Sequence, residues 1–204
     1  MHLKQRQRKT SRTRRPDRSR LVPRRSRTSA LTFGKAQTTG LLLLTSLALT
    51  ATTALANDVR ALSFYHTHTG ETLTVEYWRD GVYRETALAE INHFLRDFRT
   101  GDAAAMDPAL LDLLHEVFLR TGSEGHFEVI SAYRSPKTNE MLRGRSSGVA
   151  KNSQHLNGKA IDVRLTDVPT KRLRAVAYEL GLGGVGFYEV SDFVHLDTGR
   201  FRTW

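Results

Sequence analysis

The stretch Ser153–Leu165, SQHLNGKAIDVRL, joins a polar turn to the start of a strand. His155 stands seven residues before Asp162, and the segment LNG between them gives the chain a place to turn. The run KAIDVRL predicts a short buried strand. Zinc accepts imidazole and carboxylate ligands, so neighbouring segments of this stretch can bring both side chains to one metal ion.

A second polar stretch, SDFVHLDTGRFRTW, follows further along the chain. Its segment FVHLDTG predicts a strand that contains His195. If this strand pairs beside the first one, His195 joins His155 and Asp162, and a catalytic zinc site uses three protein ligands. The residues alone leave simpler roles open, because a strand histidine is often a hydrogen-bonded structural group and Asp162 can pair with Arg164.

The other segments of residues 57–204 predict an α+β fold with helices packed on a mainly antiparallel sheet. VRALSFYHTHTGETLTVEYW predicts a hairpin, and HFEVISAYRS and GVGFYEV predict further strands. ETALAEINHFLRDFR, DPALLDLLHEVFLRTG, residues 137–143 and PTKRLRAVAYELGLGG predict helices. The second of these has Asp107 as its N-cap and Gly122 after its end, which are strong helix boundaries.

Basic residues are concentrated at the start of the chain. The sequence has 31 Lys and Arg against 21 Asp and Glu, but residues 1–56 hold 13 of the basic residues and one acidic residue, Asp17. The remainder is near neutral, so we expect no nucleic-acid partner for it. A basic tail that binds nucleic acid or anionic lipid is the alternative for residues 1–56.

The apolar run GLLLLTSLALTATTALA follows the basic segment and ends in Ala54-Leu55-Ala56, which is typical of an export signal. We predict a leader and signal peptide at 1–56, cleavage after Ala56, and no membrane span afterwards; an uncleaved anchor is the alternative. Arg24-Arg25 is only a weak twin-arginine signal, so the export route stays open. The absence of cysteine excludes disulfides and thiolate zinc sites, and we expect residues 57–204 to form one monomeric domain.

SQHLNGKAID resembles the Ser-x-His-x-x-Gly-x-Ala-x-Asp motif of the zinc D-Ala-D-Ala peptidases. The matching positions are Ser153, His155, Gly158, Ala160 and Asp162. ISAYRSPKTNEMLR, GVAKNSQHLNGKAIDVRL, GGVGFY and FVHLDTGRFRTW are similar to the YcbK-like branch of exported murein endopeptidases. This resemblance covers nearly all of residues 57–204 and implies a hedgehog/D,D-peptidase-like fold.

Carried over by position, the resemblance implies one Zn²⁺ per chain, held by His155, Asp162 and His195. It also implies that Arg134 holds the scissile carbonyl and its developing oxyanion, and that Ser153 lies near the substrate. Relatives place an acidic general base three residues before the last histidine, which here is Asp192.

Asp197 competes with Asp192 for the role of base, because it shares the strand face of His195. Asp197 can instead orient a metal ligand. His66 and His68 form a rival metal pair at a spacing of two, although a polar hairpin rim explains them as well.

The resulting hypothesis is a periplasmic, zinc-dependent peptidoglycan endopeptidase that hydrolyses murein cross-links with activated water. The lack of a G-x-S-x-G motif fits direct attack by water. Two alternatives stay open: a D,D-carboxypeptidase, and a non-catalytic cell-wall binding module on the same fold.

Overall fold

The computed structural model describes residues 58–146 and 148–204, and the predicted leader with its cleavage point lies outside the described residues. Within these ranges the strands are β1 (Val59–His66), β2 (Thr72–Arg79), β3 (Val82–Tyr83), β4 (Phe127–Ser131), β5 (Ala160–Leu165), β6 (Gly184–Tyr188), β7 (Phe193–Asp197) and β8 (Arg202–Thr203). The α-helices are α1 (Glu85–Phe94), α2 (Pro108–Thr121), α3 (Pro136–Arg145) and α4 (Thr170–Leu180), and a 3-10 helix spans Gln154–Asn157.

The strands form one sheet in the order β3-β2-β1-β4-β5-β7-β6-β8. The α+β class is as predicted, but the sheet is mixed rather than mainly antiparallel: β1 pairs in parallel with β4, and β6 with β8. Parallel neighbours need a crossover connection, which α1 and α2 supply between β3 and β4. At the other end, β7 and the turn after it carry the chain back to the free edge of β6.

Successive side chains along the central strands point to opposite faces of the sheet, one of which packs into the core while the other is polar. Ile161, Val163 and Leu165 of β5 are buried in the hydrophobic core, where α4 packs against β5. Residues at even and odd positions of a strand point to opposite faces, so Asp162 points away from this core. The same rule puts Val194 of β7 in the core and His195 on the polar face.

Local capping chemistry fixes the helix that was predicted with the strongest boundaries. The side chain of Asp107 accepts a hydrogen bond from the backbone N–H of Ala109 at 3.0 Å, and α2 begins at Pro108. Gly122 ends the helix in the left-handed conformation, with φ of 68°. Among the described residues, none of the helices is both long enough and apolar enough to cross a bilayer.

Candidate active site

Two neighbouring strands bring the first two predicted ligands together. β5 and β7 pair antiparallel, and the register sets Asp162 directly opposite His195. Cross-strand partners project to the same face with their Cβ atoms a few ångströms apart, so both side chains stand side by side on the polar face. The predicted pairing of these two strands is therefore present.

The third residue, His155, reaches the same point from the 3-10 helix Gln154–Asn157. Gly158 ends this helix with φ of 65°, and a methyl group on Gly158 would lie 2.2 Å from the carbonyl oxygen of Ala105. Its own carbonyl accepts a hydrogen bond from the N–H of Asp107 at 2.9 Å. Only glycine combines this positive φ with such a close approach, so Gly158 fixes the turn that returns His155 to the sheet.

The three side chains present three potential ligand atoms at short distances. His155 Nε2 lies 3.2 Å from His195 Nδ1 and 3.3 Å from Asp162 Oδ1. His195 Nδ1 and Asp162 Oδ1 are 2.9 Å apart. Ligands bound tetrahedrally to zinc at about 2.1 Å are themselves separated by about 3.4 Å, so the observed triangle has nearly the required size.

The outward nitrogens of both imidazole rings hold protons in hydrogen bonds, so the inward nitrogens can bind a metal. His155 Nδ1 lies 2.6 Å from the carbonyl oxygen of Ala132, which can only accept, so Nδ1 carries the proton. His195 Nε2 donates to Asp197 Oδ2 at 2.9 Å. Such outer partners are the usual companions of metal-bound histidines, and the residues present therefore fit a zinc ion.

The electrostatics of the cluster also favour a cation. Burial raises the pKa of Asp162, but His155 and His195 outweigh that effect and hold the pKa well below its ordinary value. Burial lowers the pKa of His195, whereas its hydrogen bonds to Asp162 and Asp197 raise it above its ordinary value overall. A buried carboxylate facing two imidazoles is an electron-rich arrangement that a divalent ion would neutralise.

Arg134 lies beside this cluster, three residues after the end of β4. Its Nη2 is 3.7 Å from Asp162 Oδ2, and the Nε, although buried, has no hydrogen-bond partner among the described residues. Burial lowers the pKa of Arg134 and the charge of Asp162 opposes that shift. A guanidinium stays charged in such surroundings, so Arg134 holds unused donors next to the potential metal site.

These groups line a cavity of about 440 Å³ on the polar face of the sheet. The buried side chain of Ser153 lies in its wall, as does Tyr188. The loop after α3 and the aromatic rings of Phe193 and Trp204 form the rest of the rim. Among the described lining residues, Asp162 is the only carboxylate.

The position of Asp192 does not support its expected role as general base. Its Oδ1 accepts a hydrogen bond from Thr170 Oγ1 at 2.7 Å, and its Oδ2 lies 3.9 Å from Arg164. Asp192 lines a different cavity, near the start of α4. Asp192 points away from the metal-ligand cluster because it lies in the turn before β7, where it adopts a left-handed φ of 50°. It also stands an odd number of residues from His195, so strand alternation does not carry it to the same face.

Asp197 occupies the position that sequence spacing allowed as an alternative. It is fully buried, and each of its oxygens accepts hydrogen bonds: Oδ2 from His195 Nε2 and Oδ1 from the N–H of Gly199 at 2.8 Å. Arg202 bonds both oxygens, at 2.9 and 2.7 Å. This saturation suits a residue that orients His195 rather than one that collects a proton from water.

The rival pair His66 and His68 lies elsewhere, at the end of β1. His66 is completely buried, and its Nδ1 accepts a hydrogen bond from the N–H of His68. The His68 ring stacks on Phe98 with centroids 4.1 Å apart. The described residues contain one group of three or more potential metal ligands within reach of each other, and it is the group around Asp162.

Comparisons with known proteins identify the family. A family profile described as peptidoglycan L,D-endopeptidase MepK matches residues 54–204. The chain belongs to the MepK family. The resemblance to zinc D-Ala-D-Ala peptidases and their exported murein endopeptidase branch is thereby confirmed.

Curated members of the MepK family are similar over most of their length. The peptidoglycan L,D-endopeptidase MepK of Escherichia coli (strain K12) is 40% identical over 145 residues, which are 71% of this chain and 80% of the relative. The probable peptidoglycan L,D-endopeptidase MepK of Haemophilus influenzae is 41% identical over 146 residues, 71% of this chain and 78% of the relative. No solved structure matches.

Sequence reasoning missed two groups of residues that support the site of this MepK-family chain. Asp97, in the segment RDFRTGD, accepts hydrogen bonds from the N–H and hydroxyl of Ser135, the residue that follows Arg134. Arg202 and Trp204 lie in the quoted stretch SDFVHLDTGRFRTW, but nothing in their spacing points to the metal ligands. Nothing in the sequence around Asp97 marks it as buried, so the sequence offered no signal for its role.

Proposed function

We propose that this protein is a zinc-dependent peptidoglycan endopeptidase that hydrolyses L,D peptide bonds of murein cross-links. Family membership supports peptide-bond hydrolysis in peptidoglycan. The observation that carries the zinc-dependent mechanism is the triangle of His155 Nε2, Asp162 Oδ1 and His195 Nδ1, whose outer hydrogen bonds leave these three atoms facing one point. The L,D preference rests on the names of the relatives.

We further propose the hedgehog/D,D-peptidase-like form of the α+β class for this fold. Membership of a peptidase family and the mixed sheet with its metal-ligand face support it. A bound zinc ion would supply Lewis-acid polarisation of the scissile carbonyl and a lowered pKa for the attacking water.

The residues of the chain would bind the ion, orient its ligands and stabilise the developing charge. His155, Asp162 and His195 would hold the ion, and Asp197 would keep the ring of His195 in the ligating orientation. Arg134 would donate hydrogen bonds to the carbonyl oxygen of the substrate, where negative charge develops during attack. Its side chain lines the cavity, and its Nε has no hydrogen-bond partner among the described residues.

The substrate would lie in the cavity between the loop after α3 and the aromatic rim. Ser153 stands in the wall beside the proposed ligands, so its hydroxyl can contact the stem peptide. The cavity contains no carboxylate besides Asp162 among its described lining residues, and Arg134 adds positive charge. This charge balance favours an acidic substrate such as a murein stem peptide.

We also propose that the protein acts in the periplasm after export. The apolar run that ends at Ala56 supports a cleaved signal peptide, and the family match begins at residue 54, next to the proposed cleavage point. Intact-mass measurement of the protein from the periplasmic fraction tests this point, because a mature chain should begin at Asn57.

The enzymatic proposal is tested with purified protein and isolated muropeptide dimers that carry either L,D or D,D cross-links. We expect one zinc per chain by elemental analysis, and conversion of L,D dimers to monomers that stops with chelator and returns with added zinc. His155→Ala should lose both zinc and hydrolysis while keeping its far-UV circular dichroism. His93→Ala, which replaces an exposed histidine of α1, is the matched control and should keep both.

Other outcomes separate the alternatives. Cleavage of D,D dimers or release of terminal D-alanine in place of L,D cleavage would refute the L,D proposal and favour a D,D-carboxypeptidase or D,D-endopeptidase. Zinc binding and wall binding without any cleavage would favour a binding module. Stoichiometric zinc in His155→Ala would refute the ligand set.

A further inference from the structure

The short strand β8 forms one edge of the sheet, and β6 separates it from β7, which contains His195. Strand β8 pairs in parallel with β6, and the register sets Arg202 opposite Gly184. Beyond β8, the N–H of Phe187 donates to the carbonyl oxygen of Trp204 at 3.0 Å, so the pairing extends to that residue. Arg202 and Trp204 are two residues apart and therefore project to the same face of the sheet.

Two glycines of β6 make the space that these side chains occupy. A methyl group built on Gly184 would lie 2.4 Å from Arg202 Nη1 and from Asp197 Oδ2. A methyl group on Gly186 would lie 2.5 Å from the indole of Trp204. Neither glycine has a positive φ, so conformational freedom does not explain them. The two glycines are explained instead by the close approach of the side chains of Arg202 and Trp204, which leave no room for a Cβ atom.

Arg202 makes a two-armed contact with the carboxylate that orients His195. Its Nη1 donates to Asp197 Oδ1 at 2.9 Å and its Nη2 to Oδ2 at 2.7 Å. The fork fixes both oxygens in one plane, and Oδ2 in turn receives Nε2–H of His195. The side chain of Asp197 is inaccessible to solvent, so its oxygens rely on protein donors such as Arg202.

Trp204 covers the same histidine from the cavity side. The centroid of its ring lies 5.1 Å from that of His195, and its Nε1–H donates to the hydroxyl of Tyr188 at 3.0 Å. Tyr188 in turn stacks on Phe193, with centroids 4.4 Å apart. The indole is thus held through Tyr188 and lies against the ring of His195.

We propose that Arg202 and Trp204 are positioning residues that hold His195 in its ligating orientation, and that Gly184 and Gly186 serve to admit them. The inference rests on the proposed zinc site, but it concerns residues that are not ligands of the proposed ion. Removing an outer partner of a ligating histidine typically lowers metal affinity about 10- to 100-fold. We expect a loss of that size for Arg202→Met and for Gly186→Ala.

The test is the zinc dissociation constant, measured by competition with a chromophoric chelator on the full chain. Arg202→Lys keeps the charge but not the fork, so it should recover only part of the affinity. Arg200→Met removes a positive charge from an exposed neighbour and should bind zinc like the unaltered protein. Trp204→Phe, which keeps a ring but loses the hydrogen bond to Tyr188, should weaken zinc binding less than Gly186→Ala.

A second control separates positioning from a general loss of stability. Arg96 Nη2 donates to both oxygens of Glu71, at 3.1 and 3.0 Å, in an arginine–carboxylate pair outside the cavity. Arg96→Met should lower the unfolding midpoint of the metal-free protein without changing zinc affinity. Equal zinc affinity in folded Arg202→Met and the unaltered protein would overturn the inference and leave the proposed function standing. Absence of zinc binding by the unaltered protein would overturn both.

Discussion

Asp97 is expected to control both the stability of the fold and the position of Arg134. Its buried carboxylate accepts hydrogen bonds from the N–H of Ser135 at 2.9 Å, the hydroxyl of Ser135 at 2.7 Å and the N–H of Arg99 at 3.0 Å. Ser135 is the N-cap of α3 and follows Arg134 directly. Asp97→Asn keeps the shape of the side chain but replaces one acceptor oxygen with a donor, which opposes the donors around it.

The expected magnitude follows from the pKa of Asp97. Burial raises this pKa, but hydrogen bonds from Thr138, Ser135 and Arg99 outweigh burial and lower it from its ordinary value of 3.8 to about 2. A difference of that size between unfolded and folded states corresponds to about 2 kcal/mol of stability. Because the folded-state pKa is the lower one, this contribution is complete above about pH 4 and disappears as the pH falls towards about 2.

The assay is urea unfolding of the metal-free protein and of Asp97→Asn at pH 7 and pH 3. We expect the two free energies of unfolding to differ by about 2 kcal/mol at pH 7 and by about half as much at pH 3, since protonation then removes the same interactions. Asp102→Asn, in the same loop but exposed, should change stability by less than about 0.5 kcal/mol. A difference between Asp97→Asn and the unaltered protein that stays constant over this pH range would refute the reasoning.

Three further substitutions test the site directly. Arg134→Lys should lower kcat for L,D dimers by about 100-fold with little change in KM, because the guanidinium is proposed to act on developing charge; a rise in KM alone would contradict that role. Gly158→Ala should destabilise the fold by about 1–3 kcal/mol in urea unfolding and weaken zinc binding, since a methyl group there meets the Ala105 carbonyl. Gly181→Ala, with a similar φ but open space around it, should leave zinc affinity unchanged. Asp192→Asn should leave kcat and bound zinc unchanged, and a large loss of kcat would restore Asp192 as a candidate base.

Local chemistry made the helices and the hairpin predictable from the sequence. Asp107, Pro108 and Gly122 carry their boundary signals within a few residues, and the structure begins and ends α2 where those signals stand. The hairpin is likewise local, because its turn lies between the two strands it joins. Neither prediction needed information about distant parts of the chain.

Long-range pairing could not be predicted in the same way. The parallel contact of β1 with β4 joins segments separated by a hairpin and two helices, and nothing in either strand specifies the direction of its neighbour. β8 is only two residues long, and it exists as a strand because β6 offers it a free edge. The mixed sheet was therefore missed for a physical reason: partner choice depends on the packed whole.

In the candidate active site, too, local features were predictable from the sequence and long-range contacts were not. The spacing of His155 and Asp162 around a glycine turn indicated a shared site, and the structure brings both together with His195. Asp97 lies far from these residues in the chain and contacts a backbone N–H that any residue at position 135 other than proline would supply. A sequence pattern carries no trace of such a contact, so its role emerges only from the fold.

The competition between Asp192 and Asp197 shows how strand geometry bears on a choice that motif spacing left open. Residues on the same face of a strand are separated by an even number of positions in the sequence. Asp197 therefore shares the face of His195, and Asp192 does not. Val194 and Leu196, the residues on either side of His195, point to the opposite face and are completely buried in the core. A slip of β7 by one residue would expose both and drive His195 into the apolar layer, so the core enforces this register. The packing that stabilises the sheet is thus also what places the proposed ligand and its orienting carboxylate on the cavity side.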